Sequence, residues 1–504
     1  MSLTKKAKDN ASSGLLFFAT KILVTLIMNP LLIQFLGSSH FGIWKSIENF
    51  LGFASVADGK ATQALKWTIA NQESSTDFDR KRRLLSSALY IWIAFLPLMS
   101  ILIGLFVYFS PELIKGVDAV DHALIATVFL LLGINLIITP LFGIPESVLI
   151  GTNQGKVTYY NDIVWSIVAA LLMYMTIVLD FGLEELAYII LSITVLKGLN
   201  LLLLTRKRVV WFALLKPDKR EVISFFKFSS WVLGWAFISR FLLSSEILLI
   251  SIFIGSESVS KYIFTAYVAI TGVSVAAIIT SAVTPGLGML IGKKDYLKSQ
   301  KVVRELREFS FTFGVFVGTM VIILNESFIS LWTGQELFLG WEINLLIVLL
   351  MIQLISIRNE AFLIDLSLNI RTKVLLGVAS VLLSFTFAIM SYWHISESIS
   401  SLLLGILIGR FVLFVMFPFL TNKMIDNTFR QFLSFKQILM GVIFISIASW
   451  INQNQLLSSW SDLLLFGSLE SIICAGLVYL FLLNNENRYL LKSKFINIFD
   501  KLKK

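Results

Sequence analysis

The sequence has few of the side chains that disulfides, metal centres and thiol chemistry require. Its 504 residues include one cysteine and three histidines. The cysteine, Cys474, cannot form an internal disulfide, and it lies in an apolar run where thiol chemistry is not expected. His40, His122 and His394 are far apart, near the ends of predicted helices, so the sequence shows no metal cluster. We therefore expect neither a metal ion nor another cofactor.

Charged residues are also scarce, at 15% of the chain, whereas hydrophobic residues make up 57%. With a mean hydropathy of +0.82, the chain has too little polar surface for a soluble protein of this length. A bilayer core about 30 Å thick needs roughly 20 apolar residues per helix, and such runs recur along the whole chain. A Walker A motif is absent, so direct ATP hydrolysis is not expected. The composition predicts an all-α polytopic membrane protein.

The apolar runs predict fourteen transmembrane helices. The first run, from Leu15 to Leu36, is too long for the apolar core of a cleavable signal peptide. The predicted crossings are 15–36, 41–69, 84–109, 122–150, 159–179, 185–204, 223–254, 259–283, 309–332, 342–366, 374–393, 401–420, 437–451 and 463–483.

The basic residues predict the orientation of these helices. If the N-terminus is cytoplasmic, the inside segments hold about 31 of the 42 lysines and arginines, and the outside loops hold only Lys115. Both termini are then cytoplasmic, and the net charge of +10 mainly reflects topology rather than nucleic-acid binding. Two inside segments, 206–220 and the tail 484–504, are typical of amphipathic helices on the inner leaflet; a merely solvated basic tail is the alternative.

Two pairs of similar segments indicate an internal repeat. FLGSSHFGIW (35–44) resembles FIGSESVSKY (253–262), and ESVLIG (146–151) resembles EAFLID (360–365), at nearly equal offsets. Chance similarity between apolar segments is the alternative. Duplication of a six-helix unit predicts two pseudo-symmetric lobes with a cavity between them. The predicted organisation is an N-lobe (1–204), an inter-lobe cytoplasmic segment (205–222), a C-lobe (223–420), two further helices (421–483) and the tail (484–504).

The second predicted crossing is unusually rich in charge. If it is one helix, a single polar face of about 120° contains Lys45, Glu48, Asn49 and Lys66, with Lys60 at its edge, whereas Asp58 lies outside it. A charge at the bilayer centre costs about 2.5–3.5 kcal/mol on insertion scales. This face is therefore expected to meet water or a ligand rather than lipid.

Further cations are embedded in other crossings, and an anionic substrate is the chemistry they suggest. Arg240 is the strongest candidate because it lies near the middle of a long apolar run; an ion pair with Glu246 is the structural alternative. Cations near helix ends can instead snorkel to the interface. The candidate substrate-binding residues are Arg240, Lys21, Lys45, Lys60, Lys227, Lys261 and Arg358. Candidates for ion coupling or for charge balance are Glu48, Asp58, Glu146 and Glu360.

Several motifs resemble those of Wzx-type polysaccharide flippases, in the multidrug/oligosaccharidyl-lipid/polysaccharide (MOP) exporter superfamily. The match covers most of the chain. The first part of the match lies within 35–67. Leu36-Gly37 corresponds to a Leu-Gly element of the family, and Phe41 to Trp44 corresponds to its aromatic-Gly-x-Trp element. Asp58-Gly59 corresponds to Asp-Leu-Gly with the leucine missing, and Lys66 corresponds to a basic position. The segment VLIGTNQGKVTYYN resembles a second element through Gly151, Gln154 and Asn161.

The resemblance implies a MATE-like fold in the bacterial inner membrane and no enzyme activity. It implies transport of oligosaccharide on undecaprenyl diphosphate to the periplasmic leaflet, for O-antigen, lipopolysaccharide or another surface polysaccharide. The implied partners are that lipid-linked oligosaccharide, membrane lipid, and as candidates a polysaccharide polymerase and a chain-length regulator. The alternatives are a MATE-like drug/cation antiporter, a lipid II flippase, and a membrane glycosyltransferase or polymerase. The short outside loops disfavour the last.

Overall fold

The computed structural model describes residues 3–72, 75–115, 121–292, 294–334, 336–366, 370–425, 432–452, 457–483 and 488. This part of the chain contains fifteen α-helices and a 3₁₀ turn. The helices are α1 (Leu3–Ala54), α2 (Ala61–Asn71), α3 (Phe78–Tyr108), α4 (Ser110–Leu113), α5 (His122–Gly151), α6 (Gly155–Val178), α7 (Leu183–Arg208), α8 (Lys219–Phe253), α9 (Ser256–Gly292), α10 (Tyr296–Thr333), α11 (Trp341–Asp365), α12 (Ile370–His394), α13 (Ile399–Ile425), α14 (Phe435–Asn452) and α15 (Trp460–Phe481).

The predicted all-α membrane fold is confirmed. Twelve helices in the described ranges are long and apolar enough to cross a membrane. The first of these, Ser12–Asp58, includes the first predicted crossing and half of the second, and α14 is a shorter apolar helix. Each of the fourteen predicted crossings therefore coincides with helical structure.

The first two crossings are joined by a glycine rather than by a loop. Gly37 interrupts α1 with φ 74° and ψ 167°, a conformation that glycine adopts without steric strain. Pro30, where the sequence suggested a bend, lies inside α1 and is not the residue at which helical dihedral angles are lost.

The second crossing is broken in its middle, so the prediction of one continuous helix over 41–69 is wrong. A 3₁₀ turn, Ser55–Asp58, follows α1, and Gly59 and Lys60 then adopt left-handed conformations before α2 begins. Lys60 is held there because its backbone N–H donates to Asp58 Oδ1 at 2.8 Å. A Cβ at Gly59 would lie 2.8 Å from the Phe95 ring of α3. The break consequently depends on a glycine at this position.

The segment between α7 and α8 also differs from its prediction. Residues 209–218 are not helical, so the amphipathic helix expected over 206–220 is absent from these described residues. Trp211 is instead buried in a cluster with Leu84, Leu201 and their neighbours, which anchors the segment to α3 and α7. The predicted amphipathic helix in the tail lies outside the described residues, apart from Arg488.

The chain divides into two compact units, Met1–Ser260 and Lys261–Lys504. In the first unit, α5 packs against α2, α3 and α7, while α8 packs against α1 and α3. In the second unit, α11 packs against α10 and α13, and α10 also contacts α14 and α15. The predicted lobe boundaries, with 223–254 as the first helix of a C-lobe, stay a prediction.

Within the second unit, α12 and α13 approach closely through glycines. Cβ atoms at Gly405 and Gly409 would lie 2.3 Å from backbone atoms of Ala388 and Ser384. These glycines, one turn apart, remove the side chains that would separate the two backbones, which is a common way for membrane helices to pack.

Candidate functional site

Arg240 lies on α8, and α1 holds its guanidinium without neutralising it. Nη2 donates a hydrogen bond to Asn49 Oδ1 at 3.1 Å, and Asn49 in turn donates to the Ser244 carbonyl at 3.1 Å. The guanidinium carbon lies 5.7 Å from the centre of the Phe53 ring, which is within cation–π range. Asn49 is therefore a positioning residue that ties the arginine to the polar face of α1.

Small size at Gly52 is what lets the arginine approach α1. A Cβ at this position would lie 1.8 Å from Nη2 and 2.3 Å from the guanidinium carbon. Gly52 is one turn from Asn49 and adjacent to Phe53, so a glycine, an amide and an aromatic ring together form the seat of the guanidinium. Phe241 extends the aromatic surface of this seat, because its ring centroid lies 4.6 Å from that of Phe53.

The charge on Arg240 is not paired with a carboxylate in the part of the chain that the structure describes. Glu48 is near enough to interact electrostatically, but it forms its ion pair with Lys45, at 2.8 Å. The predicted alternative, an ion pair with Glu246, does not form. The Nε–H of Arg240 is buried and has no hydrogen-bond partner among the described residues. This donor is thus unsatisfied in this conformation, while the Arg240 side chain as a whole is half-buried.

Four of the other charges predicted on the second crossing form local ion pairs, whereas Lys66 forms none among the described residues. Lys60 pairs with Asp58 at 3.2 Å, and its Nζ also donates to the Ser55 carbonyl at 3.0 Å. These contacts stabilise the break between α1 and α2. With the Lys45–Glu48 pair also formed, Arg240 and Lys66 are the embedded cations of this region that lack a direct ion pair among the described residues, and Lys66 interacts electrostatically with Glu146.

Two predicted candidates in the first unit are exposed. Lys21 lies on the surface of α1 and Lys227 on the surface of α8, and neither side chain contacts a partner among the described residues. The structure therefore does not bring either side chain into the Arg240 seat. Both remain accessible to a charged headgroup at the membrane surface.

Glu146, on α5, belongs to a separate charged cluster. Asp162 of α6 is buried and forms an ion pair with Lys197 of α7 at 2.7 Å. Glu146 lies within electrostatic range of both residues and of Lys66. Two carboxylates with one directly paired lysine can bind and release a proton or a monovalent cation. Asp162 and Lys197 were not predicted. Asp162 lies near the start of an apolar run, whereas Lys197 lies well inside the run 185–204, so its embedded charge was a signal that could have identified it.

Glu360, in the second unit, has a structural role that the sequence did not reveal. The Arg307 Nε–H donates to Oε1 at 2.5 Å, and Nη2 donates to Oε2 at 2.8 Å. Arg307 also donates to Asn422 Oδ1 at 2.7 Å, so this pair joins α10, α11 and α13. Arg307 was missed because it falls in a segment predicted to be a cytoplasmic loop, 284–308.

Arg358 and Lys261 are also in the second unit, where both are half-buried. Arg358, on α11, forms no ion pair in the described ranges. Glu360, two residues further along the helix, forms its ion pair with Arg307. Lys261 lies near the start of α9, and Thr265 donates a hydrogen bond to its carbonyl at 2.8 Å. Arg358 therefore resembles Arg240 in being an embedded arginine without a paired acid.

No protein-family model and no curated protein matches the sequence. Solved structures do match the fold. One is an inward-facing multidrug-resistance MATE family transporter of the MOP superfamily, with TM-score 0.64 and 15% identity, over 80% of this chain and 95% of that chain. Another is the lipid II flippase MurJ in an inward closed conformation, with TM-score 0.65 and 13% identity, over 92% and 99%.

A third match is a MOP superfamily transporter from Pyrococcus furiosus, described as having a binding pocket of reversed polarity. Its TM-score is 0.59 at 15% identity, over 84% of this chain and 96% of that chain. At these identities the likeness establishes the fold. The chain thus has the predicted MATE-like architecture, and the proteins that share it are membrane transporters and a flippase.

Proposed function

We propose that this protein is a flippase that moves oligosaccharide units linked to undecaprenyl diphosphate from the cytoplasmic to the periplasmic leaflet. One observation carries the proposal: Arg240, in a membrane-spanning helix, has no carboxylate partner among the described residues and retains an unpartnered Nε–H. A guanidinium with open N–H groups can bind phosphate oxygens through charge-assisted, paired hydrogen bonds. A diphosphate would supply the negative charge that the site lacks.

Two independent similarities support this cargo. The fold resembles that of a lipid II flippase along almost the full length of both chains. The motifs around Asp58-Gly59 and Gln154 resemble those of Wzx-type polysaccharide flippases. In the proposed mechanism, lobes 1–204 and 223–420 open alternately to the two sides, and the lipid tail stays in the bilayer. The product would serve O-antigen or another surface polysaccharide, with a polymerase and a chain-length regulator as further partners.

The remaining candidates receive secondary roles in this proposal. Arg358, in the second unit, is a separate candidate for binding an anionic group, because it too lacks a paired acid among the described residues. Lys21, Lys227 and Lys261 attract the headgroup, whereas Lys45 and Lys60 shape α1 and the break that follows it. Glu146, with Asp162, is the candidate for coupling to a proton or another cation. Glu48, Asp58 and Glu360 balance neighbouring positive charges.

The Lys/Arg distribution supports a topology with both termini in the cytoplasm, and the resemblance to Wzx-type flippases supports a location in the bacterial inner membrane. With this orientation, the N-terminal end of α1 and the connection between α5 and α6 face the cytoplasm, where the lipid-linked glycan is assembled.

A drug/cation antiporter is the main competing function, because a multidrug transporter shares the fold. An embedded, uncompensated arginine would repel an organic cation, and a cation-binding cavity needs an acidic or apolar lining. Expression in a drug-susceptible strain separates the two functions. We expect no increase in resistance to cationic drugs, whereas a clear increase would favour the antiporter.

The proposal is tested by replacing Arg240 with alanine in a strain that depends on this protein for surface polysaccharide. We expect surface polysaccharide to be lost, because the diphosphate loses its main ligand, while the variant inserts at the wild-type level. Lys298→Ala, which removes an exposed lysine of α10, is the matched control and should be normal. Wild-type polysaccharide in the Arg240 variant would remove Arg240 from the mechanism.

A further inference from the structure

A large polar pocket lies in the first unit, away from the Arg240 seat, between α1, α6 and α7. Its volume is about 720 Å³. Carboxamide side chains dominate its polar lining, and we refer to it as the amide pocket, defined by Asn10, Asn153, Gln154, Asn161 and Asn200.

Hydrogen bonds between the amides fix their orientation. Asn10 donates to Asn153 Oδ1 at 2.7 Å and accepts from the Lys156 backbone N–H at 2.8 Å. Asn200 donates to Asn161 Oδ1 at 2.7 Å. These bonds connect α1 to α6 and α6 to α7, so the pocket is formed before any ligand binds.

One amide in the pocket is left with an unused donor. Asn161 is only 6% exposed, and its Nδ2 has no hydrogen-bond partner among the described residues. A buried polar group without a partner is costly, so an unsatisfied donor in a pocket wall calls for an explanation. Asn161 therefore points to a ligand that contributes a hydrogen-bond acceptor.

The amides of the lining indicate a ligand rich in hydroxyl groups. Each carboxamide carries hydrogen-bond donors and an acceptor. A hydroxyl group also donates and accepts, so the two groups can form hydrogen bonds in either direction. The ring of Tyr160 is exposed at the pocket and can cover an apolar sugar face. Of the charges at the pocket, Lys156 is paired with Asp9 at 3.4 Å, whereas Arg208 also lines the pocket, is exposed and forms no ion pair among the described residues. The five amides nevertheless outnumber the charged side chains of the lining.

The pocket borders the surface expected to face lipid. Leu196, Leu199 and Leu203 of α7 are exposed on either side of Asn200. On the predicted topology this position is at the cytoplasmic leaflet. A glycan whose lipid anchor lies in that leaflet could reach the pocket without leaving the membrane.

We infer that the amide pocket binds sugar residues of the lipid-linked oligosaccharide at the cytoplasmic side of the protein. This inference rests on the proposed function and adds a glycan subsite to it. It also gives a role to the motif around Gln154 and Asn161, both of which line the pocket. Gly151, in the same motif, lets α5 pack on α2, since a Cβ there would lie 2.9 Å from Ile69.

The test compares two lipids on full-length protein in nanodiscs. One is undecaprenyl diphosphate without sugar, and the other is undecaprenyl-diphosphate-linked oligosaccharide extracted from the producing strain. We expect Asn161→Ala to weaken binding of the glycosylated lipid about tenfold, as loss of one or two hydrogen bonds implies. Binding of the bare lipid should not change. Gln154→Ala and Asn200→Ala, at less buried positions, test the same pocket with less risk to folding.

Asn135→Ala, on α5, is the matched control, because Asn135 does not line the pocket. If the pocket variants bind the glycosylated lipid as tightly as wild type does, the subsite is wrong while the flippase proposal survives. If wild-type protein binds neither lipid, the proposed function itself fails. Equal weakening for both lipids would show a general structural defect and would also overturn the subsite.

Discussion

Two arginines in membrane helices, Arg240 and Arg307, have opposite surroundings. Arg307, in the second unit, makes two hydrogen bonds to one carboxylate, Glu360, and a third to Asn422. Arg240, in the first unit, is held by an amide and an aromatic ring, and Nε stays unpartnered among the described residues. Both are restrained by their neighbours, but only Arg307 is neutralised by a direct ion pair.

The difference separates a structural cation from a binding cation. A buried charge that lacks its counter-ion is costly, so a protein that only needs stability supplies one. Asn49 and Phe53 orient the Arg240 guanidinium while leaving its positive charge for another molecule. Replacement of Arg307 or its partner should therefore affect folding, and replacement around Arg240 should affect transport.

The largest effect on stability is expected for Glu360→Ala. It removes the carboxylate that accepts two hydrogen bonds from the buried Arg307. Breaking a buried ion pair costs about 3–5 kcal/mol, so the thermal midpoint in detergent should fall strongly. Arg307→Met combined with Glu360→Met removes both charges and should recover much of the loss. A Glu360→Ala variant as stable as wild type would remove the distinction between the two arginines.

A smaller effect, confined to transport, is expected for Gly52→Ala. Its Cβ would occupy the place of Nη2, so the guanidinium must leave its seat although its charge is unchanged. We expect reduced surface polysaccharide with nearly normal stability. Gly104→Ala on α3 adds the same methyl group where no atom lies within 4 Å, and should be neutral. Equal polysaccharide levels in both variants would show that the seat is not needed.

The smallest effect is expected at the exposed Asp295–Lys298 pair at the start of α10, which lies at 2.9 Å. Hydrogen bonds from the Lys298 side chain and backbone N–H hold the pKa of Asp295 below its ordinary value. This lowered pKa adds stability above the pKa of unfolded aspartate, and that stability is lost as pH falls through the lower, folded pKa.

Asp295→Asn should remove this pH dependence, with little change in the thermal midpoint at neutral pH, since exposed pairs contribute little. Thermal unfolding of the wild type and the variant between pH 6 and pH 3 measures the difference. A large loss of stability in the variant at neutral pH would show that exposed pairs matter here as much as the Arg307–Glu360 pair does.

Hydrophobic runs predict the helices well because a membrane helix must bury its backbone polar groups within about 20 apolar residues. Each of the fourteen predicted crossings coincides with helical structure, and twelve helices in the described ranges are long and apolar enough to cross a membrane. The break at Gly59 was missed, although the sequence Asp58-Gly59-Lys60 contains a turn signal. Apolar flanks on both sides favoured one continuous helix.

The site was predicted only in part, because helical periodicity does not reveal contacts between helices. Arg240 was identified from its depth in an apolar run. Its positioning by Asn49 and Phe53, and the pairing of Glu360 with Arg307, join residues far apart in sequence. Such contacts follow from tertiary packing and are not visible in a single sequence. Gln154 and Asn161 were noticed as motif residues, but the pocket they share with Asn10 and Asn200 was not.

The central claim is that the Arg240 guanidinium binds the diphosphate of a lipid-linked substrate. Equilibrium binding of undecaprenyl diphosphate to nanodisc-embedded protein, wild type against Arg240→Gln, tests it most directly. Charge-assisted hydrogen bonds contribute about 1.5–3 kcal/mol, so we predict at least a tenfold loss of affinity. An Arg240→Gln protein that is correctly folded and binds undecaprenyl diphosphate as tightly as wild type would contradict the account.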